Sequence, residues 1–167
     1  MVCACLTSWL KIITSNMAAI SFYHLTTTPL ERALPKLLER AYSGGYRIVL
    51  TAESDVRVEQ INQLLWTYDP ASFLPHGSNN EPNPEMQPIL LSTYAEPLNS
   101  QEGVENLLVI TDGRKIVQSS FTRILDIFDG NDPESIASAR QRWGEYKNSG
   151  HEISYFSQND QGGWQKK

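Results

Sequence analysis

Cysteine is nearly missing from this sequence. Only Cys3 and Cys5 occur, both within the first sixteen residues. A disulfide framework and a cysteine-based zinc site are thereby excluded. Long apolar runs are missing too, and no stretch approaches the roughly 20 residues that a membrane-spanning helix needs. Basic charge is scarce, with 14 Lys and Arg against 19 Asp and Glu, a formal charge of −5. Displacing the counterions of duplex DNA takes clustered cations, so the balance argues against a direct, sequence-independent duplex binder. Contact with nucleic acid through another protein stays open.

The signatures of several enzymes are absent as well. There is no G-x-x-x-x-G-K-[ST] loop and no G-x-G-x-x-G after a strand, so no glycine lets a backbone close on a pyrophosphate. The first strand-like run leads into Thr26-Thr27-Thr28 instead. His24, His76 and His151 stand far apart, outside any metal-ligand spacing, and no G-x-S-x-G nucleophile turn exists. Neither a cofactor nor a metal is expected. Asp112 follows an apolar strand at the end where open α/β sheets place ligands. It is either a small hydrolase's or transferase's carboxylate or simply part of the turn Thr111-Asp112-Gly113.

What remains is a chain of 167 residues, 40% apolar and 10% aromatic, enough for one domain with an ordinary core. Residues 1–16 make a poor signal peptide, since Lys11 interrupts the apolar run and no cleavage site is clear. They are expected to be a disordered or mis-assigned leader, with translation starting at Met17. The single domain is expected over 17–157, with a polar, frayed tail over 158–167, and the default compartment is the cytoplasm.

Apolar strands are predicted at Ile20–Leu25, Tyr46–Ala52, Pro88–Thr93, Asn106–Thr111 and Ile124–Phe128, with an edge strand at Ile153–Phe156. Thr28, Pro29 and Glu31 read as the capped start of a first helix, which Pro35 kinks or delays to Leu34 and Gly44-Gly45 ends. A second helix runs from Ser54 or Asp55 to Tyr68, burying Val58, Ile61, Leu65 and Tyr68. A short helix is expected at Lys115–Phe121, and a last one from Asp132 to Gly150. Residues 71–87 read as one long loop. Alternating strands and helices of this kind imply a three-layer α/β fold with a mostly parallel sheet, resembling a mononucleotide-binding fold without its phosphate loop.

Two aromatic places stand out. Helical spacing puts Trp66 roughly 140° from Ile61, off the buried stripe, and Phe73, Leu74 and Pro75 follow in the Pro-rich loop. This is either a docking surface or a loop folded back over the Trp. On the last helix Ile136, Arg140, Trp143 and Lys147 share one stripe. A guanidinium beside an aromatic wall suits a peptide's terminal carboxylate and last side chain. The same spacing also fits an amphipathic helix with snorkelling side chains.

The segment Leu65-Trp66-Thr67-Tyr68-Asp69-Pro70-Ala71-Ser72-Phe73-Leu74-Pro75-His76 resembles a motif of the chi subunit of bacterial DNA polymerase III holoenzyme. The opening SFYHL, the strand YRIVLTA, the closing Arg140-Gln141-Arg142-Trp143 and a late Trp164 are similar to that family as well. The resemblance covers about residues 17–167. It implies a non-catalytic accessory subunit of the clamp-loader complex, linked to single-stranded DNA-binding protein during replication and meeting DNA mainly through partners, with no membrane contact. It further implies that Trp66, Phe73, Leu74, Pro75 and His76 bind the psi subunit or a competing helicase. Ile136, Arg140, Trp143 and Lys147 would bind the acidic, Phe-ending tail of single-stranded DNA-binding protein. The sequence departs from the family where a Lys usually precedes the Arg on the last helix. Ile136 stands nearest that place, leaving the attraction to be shared with Arg142 and Lys147.

Overall fold

The computed structural model describes residues 17–98, 102–116 and 120–167. The expected leader, 1–16, lies outside them. Among the described residues, eight strands form one sheet: β1 (Ala19–Leu25), β2 (Arg47–Thr51), β3 (Gly77–Ser78), β4 (Ile89–Ser92), β5 (Asn106–Ile110), β6 (Arg123–Asp129), β7 (Glu152–Gln158) and β8 (Trp164–Lys166). Their order is β3-β4-β2-β5-β6-β1-β7-β8, and every pairing is parallel except β7 with β8.

Three α-helices among the described residues cover the sheet: α1 (Leu30–Ser43), α2 (Asp55–Thr67) and α3 (Pro133–Asn148). The strand period of two divides the apolar side chains between two cores. Ile48, Leu50, Leu107 and Val109 face Leu34, Leu38, Val58 and Ile61 of α1 and α2. Val49, Leu108, Ile110 and Phe22 face Ala139 and Tyr146 of α3. β2 is buried at all five positions, which is why its sequence is a continuous apolar run and not an alternation. Fully burying one such Leu or Ile is worth about 1.5–3 kcal/mol. The expected three-layer, mostly parallel architecture is the one present.

Local chemistry sets the ends of the helices. Ser54 Oγ accepts from Arg57 N at 3.2 Å and caps α2. Asp132 caps α3 by accepting from Glu134 N at 3.2 Å and Ser135 N at 3.1 Å. Gly150, with φ 83, ends it in a conformation that a side chain would strain.

Several expectations need correction. Thr28 does not cap α1. Pro29 takes that position without a side-chain hydrogen bond, and Thr28 Oγ1 accepts instead from Gln158 Nε2 at 2.6 Å. Pro35 neither starts nor breaks α1, because it lies buried within the apolar stripe and that packing offsets the lost backbone bond. Of residues 115–121, the described ones form no helix. The long loop holds β3 and a 3₁₀ turn at Pro84–Met86.

The largest difference concerns the C-terminal region. β7 is no edge strand, since it pairs with β1 on one side and β8 on the other. Residues 164–166, expected to fray, form β8. Asn159 Oδ1 accepts from Gln161 N at 3.0 Å and Gly163 N at 2.8 Å, tightening the turn. Trp164 then meets the Tyr23 ring edge-on at 4.9 Å. A polar composition concealed a hairpin that one Asn and one Trp hold in place.

Candidate functional site

The carboxyl ends of β1, β5 and β6 open on a cleft of about 760 Å³ lined by Thr27, Thr28, Asp112, Gly113 and Asp129, among others. Thr26, Thr27 and Thr28 aim three successive backbone N–H groups at one point, the arrangement that binds anions in nucleotide folds. Here all three donate to Gln158 Oε1, at 3.1, 3.0 and 3.0 Å. The chain's own carboxamide fills the place of a phosphate oxygen. Nearby, the Asp112 carboxylate is nearly enclosed and accepts from Arg114 Nε at 2.7 Å and from Arg114 Nη2. Arg114 N donates to its other oxygen at 3.2 Å. A carboxylate so occupied anchors the turn, which favours the turn over the hydrolase or transferase reading of Asp112. Among the described residues, no group of three or more His, Cys, Asp or Glu could hold a metal ion.

The first aromatic patch lies where α2 ends. Trp66 is 55% exposed and Phe73 73%. The rings stand 6.2 Å apart, and the Trp66 ring lies 4.8 Å from that of His76. His76 is buried, with Nδ1 facing Leu74 O at 2.7 Å and Nε2 facing Asn62 O at 3.3 Å. Leu74 is a core residue and Pro75 is half-buried. Of the five residues expected here, Trp66 and Phe73 are exposed, Pro75 is half-buried, and Leu74 and His76 are buried beneath them. Glu39 of α1 pins the loop between them, accepting from the hydroxyls of both Ser72 and Tyr68. Those hydrogen bonds, from Ser72 first and then Tyr68, hold the Glu39 carboxyl below the usual carboxylate range. The loop does not fold back over Trp66, which stays open.

The second patch is a groove of about 570 Å³ between α3 and the β1–β7 side of the sheet. Ile136, Arg140 and Trp143 form its helix wall. Trp143 is half-buried, 5.3 Å from the Phe22 ring and 6.0 Å from that of Tyr155. Lys147 is exposed on α3 but does not line the groove. Arg142 is withdrawn altogether. It is buried and pairs with the fully enclosed Asp126 through Nε at 2.7 Å and Nη2 at 2.8 Å. Burial pushes the Asp126 carboxyl up, against the pull of Arg142. The expected sharing of attraction with Arg142 therefore fails, since that charge is spent inside the fold.

The sequence reading missed six walls of this groove: Phe22, His24, Tyr155, Phe128, Ala139 and Lys167. The first three carried a signal. Phe22 and His24 are two apart on β1, and Tyr155 lies in the facing strand. Lys167 carried none, because only the hairpin brings it there. His24 Nδ1 lies 2.5 Å from the Tyr155 hydroxyl. Burial first, then the charge of Lys167, holds the His24 imidazole below its ordinary value. Gly130 makes room for this ring, because a Cβ there would stand 2.0 Å from His24 Nε2.

Residues 17–154 match the model of the family described as DNA polymerase III chi subunit, HolC. A Rickettsia prowazekii protein named "Probable DNA polymerase III subunit chi" is 29% identical over 157 residues, spanning 90% of this chain and 92% of that protein. The Haemophilus influenzae DNA polymerase III subunit chi is 26% identical over 136 residues, or 80% of this chain and 92% of that one. Among solved structures, T4 UvsW superposes with a TM-score of 0.57 at 9% identity, over 86% of this chain and 42% of UvsW. That likeness concerns the fold alone. The match over residues 17–154, with two relatives aligned over most of their length, shows that this chain belongs to the chi subunit family of DNA polymerase III.

Proposed function

We propose that the chain is a non-catalytic accessory subunit of the replicative DNA polymerase III, within its clamp-loader complex, and joins it to single-stranded DNA-binding protein during replication. The groove beside Trp143 would take the acidic, Phe-ending tail of that protein. The exposed pair Trp66 and Phe73 would take the psi subunit of the clamp loader or a helicase. The mechanism is tethering, in which two docked partners raise each other's effective concentration and no bond is made or broken.

One observation carries this reading. A concave apolar wall of Phe22, Phe128 and Trp143 ends at the exposed guanidinium of Arg140. An aromatic side chain fits the wall, and the planar fork fits the carboxylate beside it. Titration calorimetry with an acidic, Phe-terminated peptide tests it. A charge-assisted bond is worth about 1.5–3 kcal/mol, so Arg140→Ala should weaken binding by about tenfold to a hundredfold. A wild-type chain that releases no heat with this peptide would sink the reading.

A further inference from the structure

Lys167 enters the groove from a different part of the fold than Arg140. Its backbone N–H donates to Tyr155 O at 3.0 Å, and Tyr155 is a groove wall. Register explains the placement: β8 runs antiparallel to β7 with Phe156 opposite Lys166, which sets Lys167 across from Tyr155. The hairpin behind it is fastened twice, by Gln158 to the turn after β1 and by Trp164 to Tyr23. The Lys167 ammonium is thus delivered by an ordered strand. Both it and Arg140 act on the imidazole of His24, which lines the same cavity.

We infer that Arg140 and Lys167 form a two-cation clamp, Arg140 holding the ligand's terminal carboxylate and Lys167 an acidic side chain that precedes it. This deepens the peptide reading above and rests on it. The division of labour follows from the two head groups. A guanidinium is a rigid fork matched to one carboxylate. An ammonium on a flexible stem is a point charge that accepts an acid over a range of positions.

Fluorescence anisotropy on the full chain tests the clamp with two labelled peptides. One is acidic and ends in Phe; the other has its acidic side chains replaced by amides and keeps the terminal carboxylate. Lys167→Met should weaken the acidic peptide by about two- to fivefold, the worth of an exposed ion pair. It should flatten the salt dependence and leave the amide peptide unchanged, while Lys167→Arg should restore the wild-type ratio. Lys167 is exposed, so the melting temperature should not move. An unchanged ratio between the two peptides in Lys167→Met overturns the clamp alone. Failure of the wild-type chain to bind either peptide overturns the peptide reading and the clamp with it.

Discussion

Trp66 and Trp143 are each the centre of an aromatic patch, yet their surroundings differ. Trp66 is 55% exposed and shares its face with Phe73. Its buried neighbour His76 rests on backbone carbonyls. Trp143 is half-buried against Phe22 and Tyr155, with a cation at the groove rim. The first patch is exposed and held in shape by a loop; the second is a groove continuous with the core. An exposed aromatic face contributes little to folding. One packed on the core contributes more.

That contrast can be broken in order of expected effect. Arg142→Ala should be the most damaging change, because it strands Asp126 without its partner inside the sheet. Removing one member of a buried pair costs about 3–5 kcal/mol, measurable by urea denaturation, and both patches should fail with it. Next, Trp143→Ala should cost about 2–3 kcal/mol through lost packing on Phe22. Trp66→Ala should stay within about 0.5–1 kcal/mol, as exposed positions do. Equal losses at the two positions would erase the distinction drawn between the patches.

Acidity gives the smallest and sharpest handle. His24 lies below its ordinary value of 6.5 in the folded chain. Its neutral form is thus the one the fold favours, and that contribution is complete above about pH 6.5. It is lost as pH falls through the lower folded value. The melting temperature of the wild type should therefore drop more than that of His24→Gln between about pH 7 and about pH 5. Parallel pH profiles for the two proteins would remove His24 from the groove's electrostatics.

The sheet, the three helices and the open face of Trp66 were legible because each rests on local rules. β2 shows its double burial as an unbroken apolar run, and α2 shows its exposed Trp as a departure from the helical stripe. What escaped depended on distant contacts. Nothing near Lys167 announces a groove, since a hairpin and a register put it there. Arg142 and Arg140 look alike in sequence, two positions apart on one helix. Only the packing of α3 on β6 turns one inward to Asp126 and leaves the other at the surface. The capping box read at Thr28 failed for a similar reason, because Gln158, some 130 residues on, claims that threonine.

The outermost strands of the sheet, β3 and β8, are two and three residues long. A neighbouring chain that tried to pair with β3 or β8 would find only two or three residues of ladder to bond to. Self-polymerisation through the margins is blunted for the same reason. At those two margins a molecule trimmed in this way offers a neighbour side chains more readily than backbone.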